Sequence, residues 1–279
     1  MNQISISRLE LAKENAKRFT SNPNVKAIVV TGSVALGYAD ENSDIDTLIM
    51  YENPLSDEYF KLIVEQARKT GGDLHGGTAR EGFAVYEYIN GIRCDFGHGY
   101  IDETGKMISE MINNPDTDET KQLMMSGFVD CIPLFGEEWV KEWKSKATYP
   151  EKLTYLILKE HLRFHPKWVI EKMVLDRNDT IYLYEIFIQS IKNILTVLCA
   201  LNKIYYNGKL KSSFFFIDKM KIKPENLLPR LENILITGGK DSVNNLYDII
   251  EEVILCIEKN LPGYDTSRTK KIIKMILRK

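Results

Sequence analysis

The spacing of apolar and polar positions changes near residue 150. Before that point, short β-branched runs such as Val25–Val30 alternate with segments of helical spacing, and polar turns separate them. Beyond Tyr149, apolar residues recur mainly every three or four positions, which predicts helices. We therefore expect an α+β fold. A mixed β-sheet flanked by helices would occupy residues 1–148, and a mostly α-helical domain would occupy residues 149–279.

The same pattern predicts individual elements. In the first part it predicts helices over 4–20, 33–37, 56–70 and 103–130 (broken near 113–115), and strands over 25–30, 44–51, 83–89, 92–100 and 131–135. The glycine-rich segment 71–77 predicts a loop. Asn90-Gly91 is a strong signal for a two-residue hairpin turn. In the second part the apolar spacing predicts helices over 151–164, 179–203, 225–236, 242–260 and 266–278.

The predicted hairpin turn sets the pairing of its two strands. Tyr86 then faces Asp95, and Asp95 shares one face of the hairpin with Tyr86, Tyr88 and Arg93. Glu87 lies on the opposite face, so Asp95 and Glu87 do not both point toward one site. A register slip of one residue would reverse the choice, and at this stage either carboxylate remains a candidate base.

The segment from residue 30 to 49 carries the candidate chemistry. A predicted strand ends in Gly32-Ser33, where a helix begins; glycine lets the backbone approach a ligand, and free N–H groups at a helix start bind anions. Asp44 and Asp46 are two residues apart on a strand, so both carboxylates project to one side. Two such charges repel unless a cation lies between them, and Mg²⁺ binds through carboxylates together with substrate phosphates. The combination indicates metal-dependent phosphoryl transfer.

These residues resemble the DNA polymerase β-type nucleotidyltransferase superfamily, with a glycine–serine turn, a spacer, an Asp-x-Asp strand and a third acid on a later strand. The resemblance implies that Gly32 and Ser33 hold the triphosphate of an NTP, with ATP favoured. It implies that Asp44 and Asp46 ligate Mg²⁺, with two ions expected. Asp95 is then the third metal ligand, or the base that activates the acceptor hydroxyl.

One residue departs from the family pattern, and the later chain adds a weaker likeness. Thr47 stands where the family usually has an aliphatic residue, but we expect it to face away from the metals. Segment 201–209 resembles the helical domain of bacterial small-molecule members, including antibiotic adenylyltransferases. This implies transfer of a nucleoside monophosphate to a small-molecule hydroxyl, on an aminoglycoside or lincosamide antibiotic, with release of pyrophosphate. The alternatives are an RNA or protein acceptor, and a catalytically silent nucleotide-binding module of toxin–antitoxin type.

Charge is unevenly distributed along the chain. Residues 1–150 hold 24 acidic and 15 basic side chains, a net of −9, whereas the remainder holds 15 and 22, a net of +7. An acidic half suits a cation site and a basic half suits phosphates. Predicted helix 179–203 carries one polar stripe, from which Lys192 could reach a triphosphate; a solvated helix face is the alternative. The run Arg268–Lys279 is the one conspicuous basic stretch, so the pattern argues against a nucleic-acid partner.

The cysteines and the apolar runs indicate in which cellular compartment the protein resides. The four cysteines are scattered without paired spacing, which predicts reduced, buried thiols. The longest apolar stretch, 181–201, contains Glu185 and Lys192 and so does not predict an ordinary membrane span. The N-terminus is charged and amphipathic, unlike a signal peptide. We expect a soluble, cytoplasmic protein whose partners are an NTP and a small acceptor, with no membrane partner; formation of a homodimer stays open.

Overall fold

The computed structural model describes residues 1–206 and 208–275, and these residues form two compact units. The first unit comprises Met1–Asn114 and Met124–Thr148, and the second comprises Pro115–Leu123 and the chain from Tyr149 onward. The first unit contains a mixed sheet flanked by helices, and the second is helical. The predicted α+β class is therefore confirmed.

Six strands form one sheet within the described residues of the first unit: β1 Val25–Val30, β2 Ile45–Tyr51, β3 Asp73–Thr78, β4 Gly82–Ile89, β5 Ile92–Tyr100 and β6 Ile132–Phe135. Their spatial order is β3-β4-β5-β2-β1-β6. Strands β2 and β5 pair in parallel, and the other neighbours pair antiparallel. Because β2 and β5 are neighbours at the centre of the sheet, residues 49 positions apart in the chain lie side by side.

The accompanying helices are α1 Gln3–Thr20, α2 Gly32–Leu36, α3 Asp57–Lys69, α4 Ile101–Asn113, α5 Glu119–Asp130 and α6 Glu137–Lys146. Helix α5 has residues in both units. Ser56 caps α3, because its side chain accepts a hydrogen bond from the Tyr59 N–H. Asn2 does the same for α1 at the Ser5 N–H. Local side chains therefore define where both helices begin.

Two apolar layers enclose part of the sheet. Helices α1 and α3 cover one face, where residues such as Phe19, Ile63 and Phe96 are buried with the inward side chains of β1, β2, β4 and β5. On the other face, α4 and α6 lie near a smaller apolar cluster around Val29 and Met50. Burial on β4 and β5 alternates strictly, so one side of this hairpin is buried and the other is partly open.

The prediction of a loop over 71–77 is wrong, because Asp73–Thr78 forms the edge strand β3. Its partner is β4, the next strand in the chain, and the glycines allow the two backbones to approach closely. At Gly77 the backbone has φ +94°, and a Cβ there would lie 2.3 Å from the carbonyl oxygen of Gly82. The glycine content predicts a loop, whereas pairing with β4 makes this segment a strand.

Smaller differences concern element ends. Helix α2 begins one residue before the predicted position, Asp44 lies just before β2, and the helix predicted over 103–130 is interrupted between Asn113 and Glu119. Helix α6 was not predicted. The hairpin register is confirmed, with Tyr86 opposite Asp95 and Ile89 opposite Ile92.

The second unit contains α7 Glu151–His161, α8 Lys167–Val169, a π-helical turn Ile170–Val174, a 3₁₀ turn Leu175–Arg177, α9 Thr180–Leu201, α10 Ser213–Lys219, α11 Leu227–Thr237, α12 Gly239–Asn260 and α13 Ser267–Ile273. Helix α9 packs against α7, α11 and α12. It is long and apolar enough to cross a membrane, but 72% of its most apolar window is buried inside the protein, as in the core helix of a soluble protein. Of the predicted helix 266–278, residues 276–278 lie outside the described residues, as does Asn207 of segment 201–209.

All four cysteines are free, as the sequence predicts. Cys94, Cys131 and Cys199 are buried and Cys256 is partly buried. Burial raises the pKa of the Cys94 and Cys131 thiols to about 11, which keeps them protonated at neutral pH.

Candidate active site

Three carboxylates meet at the centre of the first unit's sheet. Parallel pairing of β2 with β5 places Asp46 directly beside Asp95, and Asp44 immediately precedes β2. One carboxylate oxygen from each of the three lies within 4.8 Å of the others, and all three residues are partly buried. Among the residues that the structure describes, this is the one group of acidic, histidine and cysteine side chains with metal-compatible spacing.

Gly32 lies against this acidic cluster. It follows β1 and opens α2, and the preceding Thr31 N–H donates a 2.9 Å hydrogen bond to the Asp46 carbonyl oxygen. The Gly32 backbone has φ +63°, and a Cβ there would lie only 2.1 Å from Asp46 Oδ2. Any side chain at position 32 would therefore displace the Asp46 carboxylate, which explains why the turn needs glycine.

Ser33 follows in the same turn and is partly buried. Its carbonyl oxygen accepts hydrogen bonds from the Gly37 and Tyr38 N–H groups, which tightens the five-residue helix α2. The structure thus brings five of the predicted site residues, Gly32, Ser33, Asp44, Asp46 and Asp95, into one unit around the end of β1 and the start of β2.

The sixth predicted site residue, Lys192, lies in the second unit on α9 and is partly buried. Its carbonyl oxygen accepts a 2.8 Å hydrogen bond from the Thr196 hydroxyl. Of the predicted polar stripe, Glu185 and Gln189 are exposed, but Thr196 is buried. A contact of Lys192 with a triphosphate stays a prediction.

Glu87 is excluded from the acidic cluster by its position. Its side chain is 3% exposed on the face of the hairpin opposite Asp95, and it accepts two hydrogen bonds from Arg18, at 2.8 and 2.9 Å. The guanidinium of Arg18 also lies over the rings of Phe19 and Phe96. The structure thus groups Asp95 with Asp44 and Asp46, whereas Glu87 joins helix α1 to the sheet.

Thr47 behaves as its alternation with Asp46 predicts. It is buried on the opposite face of β2, so it points away from the three carboxylates. Its hydroxyl oxygen makes no hydrogen bond among the described residues.

Arg93 is a site residue that sequence reasoning missed. Its guanidinium donates two 2.8 Å hydrogen bonds to Asp95, one to each carboxylate oxygen, and lies 4.5 Å over the ring of Tyr86. The hydrogen bonds to Asp95, together with the nearby charge of Asp44, raise the pKa of Arg93 far above its ordinary value. A signal was present in the sequence, because Arg93, Asp95 and Tyr86 share one face of the predicted hairpin.

The residues present fit a divalent magnesium ion. Carboxylate oxygens are the hard ligands that Mg²⁺ prefers, and it commonly takes one or two of them with substrate phosphates. Three carboxylates within 4.8 Å also need positive charge between them. In this structure Arg93 supplies part of that charge.

A mixed sheet that presents three clustered carboxylates beside a glycine–serine turn defines the scaffold of a nucleotidyltransferase. The family model of the nucleotidyltransferase domain matches residues 10–75. The chain therefore carries a nucleotidyltransferase domain of the DNA polymerase β type, as its sequence pattern predicts. The matched stretch contains Gly32, Asp44 and Asp46 and ends before Asp95, which the structure adds.

Solved structures that match the chain include a nucleotidyltransferase-like protein from Exiguobacterium sibiricum 255-15, at 10% identity and a TM-score of 0.38, with 91% of this chain and 78% of that chain covered. Two structures of the Cid1 poly(U) polymerase match 46% of this chain and 43% and 41% of those chains. Their identities are 14% and 13%, and their TM-scores are 0.28 and 0.26. Likenesses this weak carry no argument about substrate. No curated protein matches the chain in sequence.

Proposed function

We propose that the protein uses Mg²⁺ and an NTP, with ATP favoured, to transfer a nucleoside monophosphate to a hydroxyl of a small molecule, releasing pyrophosphate. An aminoglycoside or lincosamide is the acceptor we favour, which makes antibiotic resistance in the cytoplasm the proposed role. The observation that carries the catalytic part of the proposal is the convergence of Asp44, Asp46 and Asp95 within 4.8 Å beside Gly32. The acceptor class rests on the resemblance of the sequence to antibiotic adenylyltransferases.

Each residue of the site has a role in this reaction. Asp44 and Asp46 would hold two Mg²⁺ ions, and Asp95 would ligate one of them or take the proton of the acceptor hydroxyl. Gly32 and Ser33 would bind the triphosphate, through a backbone that approaches closely and through the Ser33 hydroxyl. When bound, the ions supply positive charge to the attacking oxygen and the α-phosphate.

The second part of the chain is proposed to bind the substrates. Residues 149–279 would form a helical substrate- and nucleotide-binding domain, and Lys192 would contact the triphosphate. The net charge of +7 beyond residue 150 and the position of Lys192 three residues after the exposed Gln189 of α9 support this assignment. The expected partners are an NTP and a small acceptor rather than nucleic acid or a membrane.

The test is pyrophosphate release with Mg²⁺, using each of the four NTPs and a panel of aminoglycosides, lincosamides and tRNA. With the correct acceptor, we expect Asp46→Asn to lower the rate by about 1,000-fold, equivalent to about 4 kcal/mol of transition-state stabilisation, because it removes a ligand charge. Pyrophosphate release with tRNA and with none of the small molecules would show that the acceptor is RNA. NTP binding without release for any acceptor would favour a silent binding module.

A matched control separates loss of charge at the site from loss of charge elsewhere. Asp57→Asn removes an exposed carboxylate from the first turn of α3 in the same unit, and we expect its rate to match the wild type. Thermal unfolding of both variants checks that each is folded. Full activity of Asp46→Asn would refute the assignment of the carboxylates.

A further inference from the structure

Both carboxylate oxygens of Asp95 accept hydrogen bonds from Arg93. Arg93 Nε donates to one oxygen and Arg93 Nη2 to the other, each at 2.8 Å. Whichever oxygen Asp95 offers to a metal ion is therefore one that already accepts a hydrogen bond from Arg93. Each oxygen keeps a second lone pair, so a metal ion could bind there, but it would lie close to a guanidinium of the same charge that is held by a strong bidentate contact.

Arg93 is held in place by more than Asp95. Its guanidinium lies 4.5 Å over the ring of Tyr86, which is the cross-strand partner of Asp95. The residues at positions 93 and 95 are two apart on one strand, so their side chains share a face without any contribution from a loop. The Arg93 guanidinium, its partner Asp95 and the ring of Tyr86 thus all belong to the β4–β5 hairpin.

The effect of Arg93 on the acidic cluster follows from the charges of the four side chains. Three carboxylates lie within 4.8 Å, and Arg93 offsets one of the three negative charges. Without a metal ion this stabilises the cluster, because it reduces the repulsion between Asp44, Asp46 and Asp95. With a metal ion it opposes binding, since the guanidinium carries the same sign as the ion and uses the same oxygens.

We propose that Arg93 is an internal competitor of the divalent metal ion for Asp95, and that it sets the affinity of the acidic cluster for free metal. This inference rests on the proposed function, because it takes the acidic cluster to be the metal site. Arg93 keeps Asp95 engaged in the metal-free protein and weakens binding of an ion that arrives alone. It is a positioning residue, since it acts through Asp95.

The experiment measures binding of Mn²⁺ alone, without nucleotide, from the electron paramagnetic resonance signal of the free ion. We expect Arg93→Gln to bind Mn²⁺ about tenfold more tightly than the wild type, a difference of about 1.4 kcal/mol. Arg93→Lys keeps the charge but loses the bidentate geometry, so its affinity should lie between the two. An Arg93→Gln affinity equal to or below that of the wild type overturns the proposal; if that variant does not fold, Arg93→Lys decides in the same way.

The matched control is Arg230→Gln in the second unit. Arg230 makes the same bidentate contact, with Glu252 at 2.9 and 2.6 Å, but not with a residue of the acidic cluster. Its Mn²⁺ affinity should equal that of the wild type; an increase matching that of Arg93→Gln would show a nonspecific charge effect and would overturn the proposal.

Two aspartate variants separate failure of this inference from failure of the proposed function. Asp46→Asn should weaken Mn²⁺ binding; if it does not, the metal site itself is wrong. If Asp46→Asn weakens binding but Arg93→Gln does not strengthen it, only the role of Arg93 fails. In the Asp95→Asn background, Arg93→Gln should no longer increase affinity, because the competition takes place at Asp95.

Discussion

The two faces of the β4–β5 hairpin each carry a bidentate arginine–carboxylate pair, but the pairs differ in sequence separation and in exposure. Arg18 and Glu87 come from elements 69 residues apart, and the Glu87 side chain is 3% exposed. Arg93 and Asp95 are neighbours on one strand, and the Asp95 side chain is 20% exposed. Both pairs are bidentate with distances of 2.8 to 2.9 Å.

The difference shows how environment assigns a role to the same interaction. A carboxylate buried beneath α1 cannot exchange its partner, because a lone charge there would be desolvated without compensation. A carboxylate on the partly open face, beside two others, can exchange an arginine for a metal ion. The buried pair therefore holds the fold together, whereas the open pair belongs to the candidate active site.

The largest expected effect is on stability, and it tests whether the buried pair and the open pair have different roles. Glu87→Gln should lower the free energy of unfolding by about 3 kcal/mol, because it leaves the Arg18 charge without its buried partner. Asp95→Asn should change it by less than about 1 kcal/mol, since the pair is partly exposed and the substitution also relieves repulsion within the acidic cluster. Urea unfolding of the two variants measures both values.

Activity should show the opposite order. Among folded molecules Glu87→Gln keeps nucleotidyl transfer and Asp95→Asn loses it. Equal losses of stability in the two variants, or equal losses of activity, would mean that the two faces do not differ as described.

A second prediction sharpens the description of the open face. Gly32→Ala should lower activity by about 100-fold, equivalent to about 2.7 kcal/mol, because the new methyl group displaces the Asp46 carboxylate. Gly91→Ala is the matched control: its backbone has φ +76°, but a Cβ there meets nothing within 4 Å. Both variants pay about 1–2 kcal/mol for the left-handed conformation. Equal activity of the two variants in a pyrophosphate-release assay would show that the contact with Asp46 is unimportant.

The smallest expected effect concerns a titratable group on the buried face. Burial first, and then the charge of Arg18, lowers the pKa of His98 to about 3. Its Nδ1 lies 2.8 Å from the Tyr51 hydroxyl oxygen, and its ring stacks on Phe83 at 4.4 Å. The folded protein therefore holds His98 neutral at a pH where the unfolded chain binds a proton.

The sign of the pH effect follows from that difference. Between about pH 6.5 and pH 3 the unfolded state binds more protons at His98, so this contribution to stability is complete above about pH 6.5 and is lost as the pH falls. The slope is at most about 1.4 kcal/mol per pH unit. His98→Phe should flatten the acid side of the stability profile by this amount, measured by urea unfolding from pH 7 to pH 4. His75→Phe, at an exposed position, serves as the control, and identical slopes for wild type and His98→Phe would contradict the assignment.

Sequence reasoning reached the parts of the site that depend on local rules. Spacing placed Asp44 and Asp46 together, and the Asn90-Gly91 turn predicted the register that puts Tyr86 opposite Asp95. It did not recognise β3, because glycine-rich sequence indicates a loop unless a partner strand is known. It also left Asp95 and Glu87 as alternatives for the base, since a slip of one residue would exchange their faces.

The sequence by itself determined the class of fold, the glycine–serine turn, the aspartate pair and the hairpin register, because each depends on contacts within a few residues or on the two-residue period of a strand. Only the tertiary structure decided that β5 lies beside β2, that Arg18 pairs with Glu87, and that Arg93 pairs with Asp95. The first two depend on how distant segments pack around a shared core. The third depends on which side chains of one strand face meet where three clustered carboxylates require a nearby positive charge.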